Sequence, residues 1–113
     1  MIYHIAREDD WQSGLMAEQY LPAEFAADGF IHCSTHEQVL RVANRFYRGQ
    51  SDLVLLEIDP ERVEAEVIYE NLEGGEERFP HLYGPLNLDA VAAVHVFTPG
   101  GNGSFQLPAG LDG

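Results

Sequence analysis

Alternation and helical spacing divide the chain into seven elements. "IYHIA", residues 2–6, alternates and is rich in β-formers, which predicts a first strand. Asp9 or Asp10 stands where a helix cap is wanted, and a helix is predicted from there through about Gln19, with Trp11, Leu15 and Met16 on one face. "YLPAEFAADG" reads as a connection with at most one helical turn. "FIHC" predicts a short strand. Ser34 and Glu37 then form an S-x-x-E capping box ahead of a helix carrying Val39, Leu40, Val42, Ala43, Phe46 and Tyr47 at spacings of three and four, ended by Gly49. "LVLLEI", 53–58, is a continuous apolar run, the mark of a strand buried on both faces. "EAEVIYE", 64–70, alternates and predicts another strand; "VAAVHVF", 91–97, predicts the last.

Between these lie irregular stretches. "NLEGGEER" predicts a polar, mobile loop, "FPHLYGPL" an ordered but irregular segment, and Asn87 to Ala90 a helical turn. The order β-α-β-α-β-β-β predicts an α+β fold in one domain over residues 1–98, with a mixed or antiparallel sheet and two main helices. Residues 99–113 read as a Gly-rich tail, frayed except where Phe105 and Leu107 dock.

Charge narrows the partners. Nineteen Asp and Glu face six Arg and no Lys, a net charge of −13. Such a surface repels polyanions, so DNA and long RNA are not expected partners. Without lysine there is no Schiff-base chemistry and no phosphate-loop lysine. No apolar run approaches the roughly 20 residues that span a bilayer. "MIYHIARED" turns charged too early for a secretory signal, and a lone cysteine suits a reducing compartment, so the expected location is the cytoplasm.

The five histidines sort by context. His95 lies between valines of the last strand and reads as structural. His36 falls in a first helical turn and reads as exposed. His4, His32 and His81 each lie inside an apolar stretch, where an imidazole needs partners. One such residue is ordinarily a satisfied core histidine; three in so small a domain point to a shared pocket. Tyr3, Trp11, Tyr69 and Tyr83 are natural walls for it, and Glu70 is a candidate carboxylate at a strand end. His32 and His36 form H-x3-H, which suits zinc only if both lie on one helix, and His32 is expected on a strand. No metal ligands are therefore assigned, and a metal-binding protein is the weaker alternative. Cys33 adjoins a helix start, yet alternation turns it away from His32 into the core, where a thiol is inert.

"IYHIA", Trp11, "DGFIHCSTHEQV", "DLVLLEID" and "FPHLYGPLNLDAV" together resemble the bacterial and plant family called domain of unknown function 952, over roughly residues 1–97. Its blocks GFIH-x-S and FPHLYG are long and specific. That family looks like a distant relative of the ADP-ribosyltransferase fold, whose members bind NAD in a cleft between two small sheets. The resemblance implies His4 on the ribose side of the nicotinamide, and His32 with Ser34 beside it packing on the nicotinamide. For the third, catalytic position it implies Glu70, with His81 and Tyr83 as alternatives. Residues and resemblance together predict a cleft lined by His4, His32, Glu70, His81 and Tyr83, with Trp11 at its edge. The implied ligand is a small nucleotide, NAD as substrate or an ADP-ribose derivative, and the implied chemistry is glycosyl transfer or hydrolysis. The alternative from another class is a non-catalytic binding or interaction module that retains the cleft.

Overall fold

In the computed structural model residues 1–72 and 74–111 are described. They run as strand β1 (Ile2–Arg7), helix α1 (Glu8–Ala17), β2 (Gln19–Tyr20), α2 (Phe25–Asp28), β3 (Ile31–His32), α3 (His36–Phe46), β4 (Leu53–Ile58), β5 (Val67–Glu70), β6 (Phe79–Leu82), β7 (Leu86–Asn87) and β8 (Val91–Phe97), with a 3₁₀ turn at Leu88–Ala90. The α+β expectation holds, with a third, four-residue helix, and every strand pairing is antiparallel. β4 lies between β1 and β8 in one sheet, β6 between β3 and β5 in a second, and β2 pairs β7 in a short ribbon.

Among the described residues, one isolated backbone bridge joins the two larger sheets. Tyr3 of β1 and Ser34 exchange both backbone hydrogen bonds, at 2.8 and 2.7 Å. The ladder stops there. The next carbonyl on that side, His32 O, accepts from the His4 ring instead of from a β1 amide. A side chain has entered where a backbone rung would be, and the two sheets part around it.

Both faces of the β1–β4 pair are buried, which explains the unbroken apolar run of β4. Ile2, Ala6, Val54, Leu56 and Ile58 pack with Trp11, Tyr20, Ile31, Cys33, Leu82 and Leu86 on one side. Tyr3, Ile5, Leu53 and Leu55 pack with Val39 and Ala43 of α3, Phe97 and Phe105 on the other.

Several local expectations are corrected. Helix α1 starts at Glu8, so Asp9 and Asp10 are not caps; with Glu8 they fill its first turn, where negative charge is favoured. Leu15 and Met16 are exposed, and α1 buries Trp11 and Gly14 instead. Gly14 lies where a Cβ would stand 3.1 Å from the Tyr20 Cα, so the α1–β2 turn closes on a residue without a side chain. The capping box of α3 is Thr35 with Gln38, not Ser34 with Glu37, because Ser34 is held in the bridge to Tyr3 and the helix begins one residue later. The strand expected over 64–70 begins at Val67. "FPHL" is a true strand, β6, although it contains Pro80. In the tail, Phe105 is buried and stacks on Phe97 at 4.7 Å, and its amide donates to the Asn44 side chain. The loop expected to be mobile includes Glu73, which lies outside the described residues, as do tail residues 112 and 113; Gln38 donates to the carbonyl of Arg78 at 2.7 Å and Arg41 to Glu77, tying the loop's far end to α3.

Candidate functional site

Where the sheets part lies a cavity of about 450 Å³, within the range typical of small-ligand sites. His4 comes from β1, Phe30 to Ser34 from β3 and its flanks, Glu70 from the end of β5, and Phe79 and His81 from β6. Phe46 and Tyr47 at the end of α3 and the loop at Pro22 and Glu24 complete the wall.

Three histidines meet here in different states. His4 is buried, and both of its nitrogens are committed. A carbonyl only accepts, so Nδ1–H donates to His32 O and Nε2 accepts the Tyr20 hydroxyl at 2.8 Å. Burial lowers its pKa to about 4, against the partial support of its carbonyl bond, so the ring is neutral. The same burial raises the Tyr20 phenol, which stays protonated as the donor. His32 is the exposed one; its Nε2–H donates to Asp28 Oδ2 at 3.2 Å, one helical turn back across the cap of α2. His81 is buried, and its Nδ1–H donates to Glu70 Oε2 at 2.9 Å.

Glu70 anchors the far wall. The Tyr83 hydroxyl also donates to its Oε2. These two hydrogen bonds, Tyr83 first and His81 second, lower the carboxyl pKa, so Glu70 is ionised at neutral pH, while Tyr83 is raised in turn. Both bonds fall on Oε2. Phe30 ties the histidines together: it stacks on His81 at 4.1 Å and 20° and meets the His32 edge at 4.6 Å. The His32 and His81 rings are 5.3 Å apart.

The residues singled out in the sequence are thus partly gathered. His4, His32, Ser34, Glu70 and His81 line the cavity. Tyr83 stands outside the lining and acts on it through Glu70. Two expectations are corrected. Trp11 is in the core behind the site, tilted against Tyr20 at 5.9 Å, and is not among the residues lining the cavity. Tyr3 points to the opposite face of β1, edge-on to His36, because neighbouring residues of a strand point to opposite sides. His36 is half-buried rather than exposed and bonds the carbonyl of Leu111. His95 pairs with Glu57 at 3.1 Å, away from the cavity. Among the described residues, no group of three or more His, Cys, Asp and Glu side chains is arranged to hold a metal ion. Cys33 is buried, and burial raises its thiol pKa, the state of an inert thiol.

Phe30, Tyr20 and Asp28 are the site residues that sequence reasoning missed. Phe30 reads as plain core in "GFIH", and Asp28 as a turn residue before Gly29. The one available signal was the i, i+4 spacing of Asp28 and His32.

Among the described residues, no helix is long and apolar enough to cross a membrane. The family described as "Protein of unknown function (DUF952)" matches residues 5–94. Among solved structures, the X-ray structure of protein CC0527 from Caulobacter crescentus is 35% identical, with 98% of this chain and 97% of that chain covered and a TM-score of 0.87. The solution NMR structure of CC0527 is 36% identical over 94% of this chain and 91% of that one, with a TM-score of 0.82. No curated protein matches.

Proposed function

The chain belongs to the DUF952 family, and we propose that its cleft binds a nucleotide-type ligand, NAD or an ADP-ribose derivative, and catalyses transfer or hydrolysis at the glycosidic bond. The observation that carries this reading is the convergence of His32, His81 and an ionised Glu70 on one cavity between two parted sheets. The resemblance to the ADP-ribosyltransferase fold supports the same reading.

The chemistry follows from the groups present. In hydrolysis of NAD the C1′–N bond breaks, its electron pair leaves on nicotinamide, and C1′ becomes oxocarbenium-like. Water adds to C1′ and gives up a proton. Glu70 is held ionised by two donors, so it is suited to stabilise the cation and unsuited to donate a proton. His32 donates Nε2–H to Asp28, which leaves Nδ1 unprotonated in the neutral ring and able to take the proton from water. His4, with both nitrogens engaged, positions the strands rather than moving protons.

The test is nicotinamide release from NAD followed by chromatography. Wild type turns NAD over, and Glu70→Gln lowers the rate about a hundredfold or more with ligand affinity changed only a few fold. Ligand binding without turnover in wild type would favour the non-catalytic module. Neither binding nor turnover would sink both.

A further inference from the structure

We propose that, within the ligand class proposed above and resting on it, the cleft prefers a cationic ring, a positively charged N-heterocyclic riboside of the pyridinium-nucleoside class, and binds the same ring more weakly when it carries phosphates, as in NAD. The charges around the cavity carry it. Asp10, Glu24, Asp28 and Glu70 line it against one cation, Arg7. That arginine lies 3.8 Å from Glu24 and is offset by it. His4, whose two bonds fix it as the neutral tautomer, adds no charge.

The other five arginines do not line the cavity. Arg41 donates to Glu77, Arg48 to the Asn102 carbonyl and the Ser104 hydroxyl, and Arg62 lies 3.8 Å from Asp59. Arg45 rests over the ring of Phe46, a wall residue, and Arg78 borders a neighbouring recess that shares Glu70 and Asn71 with the cavity, but neither arginine lines the cavity itself. The start of α1 borders the cavity, and a helix start with open amides is where a phosphate would ordinarily be held. Here that first turn is Glu8, Asp9 and Asp10. A diphosphate would meet carboxylates at that helix start.

A cation meets the reverse. Tyr20, Phe30, Tyr47 and Phe79 present aromatic surface to the same cavity. Aromatic faces and carboxylates together are the surroundings that favour a ring bearing positive charge. Heterolysis of such a riboside releases a neutral heterocycle, so the charge the walls favour passes from the ring to C1′ beside Glu70.

Isothermal titration at low salt with nicotinamide riboside, nicotinamide mononucleotide, NAD and the neutral dihydronicotinamide riboside tests this. The riboside binds most tightly, and affinity falls about five- to tenfold with each added negative charge. The dihydro form, similar in shape but uncharged, binds at least about fivefold more weakly than the cation. Asp28→Asn narrows both ratios, as does 0.5 M salt, roughly in line with its Debye length of a few Å. NAD binding as tightly as the riboside, or the dihydro form matching the cation, would overturn the inference and leave a nucleotide-type ligand standing. No binding by any of the four at millimolar concentration would overturn both.

Discussion

His4→Gln removes a histidine that burial keeps neutral. In the folded chain its pKa is about 4, against 6.5 for an ordinary histidine. The unfolded chain therefore takes up a proton between pH 6.5 and 4 that the folded chain refuses. Stability from this residue is complete above about pH 6.5, falls as pH drops, and levels off below pH 4. At about 1.4 kcal/mol per pH unit, the loss between pH 7 and pH 5 comes to about 2 kcal/mol. Glutamine keeps one donor and one acceptor but does not titrate. The fixed cost of replacing the ring is common to both pH values and cancels in the difference. Urea unfolding of both proteins at pH 7 and pH 5 is the assay. The other histidines, His32, His36, His81 and His95, are present in both and drop out of the comparison. Wild type should lose about 2 kcal/mol more than the variant. Equal losses, within about 0.5 kcal/mol, would show that His4 charges freely and would refute the hydrogen-bond scheme drawn for it with Tyr20 and His32.

Other substitutions separate the observed packing from the sequence expectations. Thr35→Ala should cost about 1 kcal/mol in urea unfolding, and Glu37→Gln less than about 0.5, because Thr35 and Gln38 form the capping box. Phe105→Ala should cost about 3–5 kcal/mol, since the ring is fully buried against Phe97; an effect under about 1 kcal/mol would mean the tail is not docked. The Cys33 thiol should react with a disulfide reagent about a hundredfold more slowly in the native protein than in urea, and fast native labelling would contradict its burial.

Period and length made the long elements readable. The alternation of "IYHIA", the apolar run of β4 and the helical spacing of α3 each state their own burial. The site was half readable for the same reason: a histidine inside an apolar stretch must find partners, and His4, His32 and His81 found each other's neighbourhood. What stayed hidden depends on contacts between distant segments. Ser34 looked like a cap until its backbone proved to be taken by Tyr3, thirty-one positions away. β6 was hidden because Pro80 breaks the strand signal, yet its carbonyl still accepts from Cys33. Phe30 looked like core because stacking on His81 joins two segments that no local pattern connects. Trp11 and Tyr3, aromatic with polar tips, suited a pocket wall equally well by composition; Tyr3 is excluded by the side of β1 it faces, and Trp11, on the same side as His4, by lying behind Tyr20.

An amide NMR titration with NAD and nicotinamide riboside, on wild type and on His32→Ala, tests whether the cleft between β1 and β3 is a ligand site. Shifts should cluster on residues 3–5, 28–34, 70–71 and 80–83 in wild type, and be lost in a variant whose spectrum is otherwise that of the folded protein. Unchanged spectra at millimolar ligand, or shifts confined to surfaces away from those strands, would contradict it.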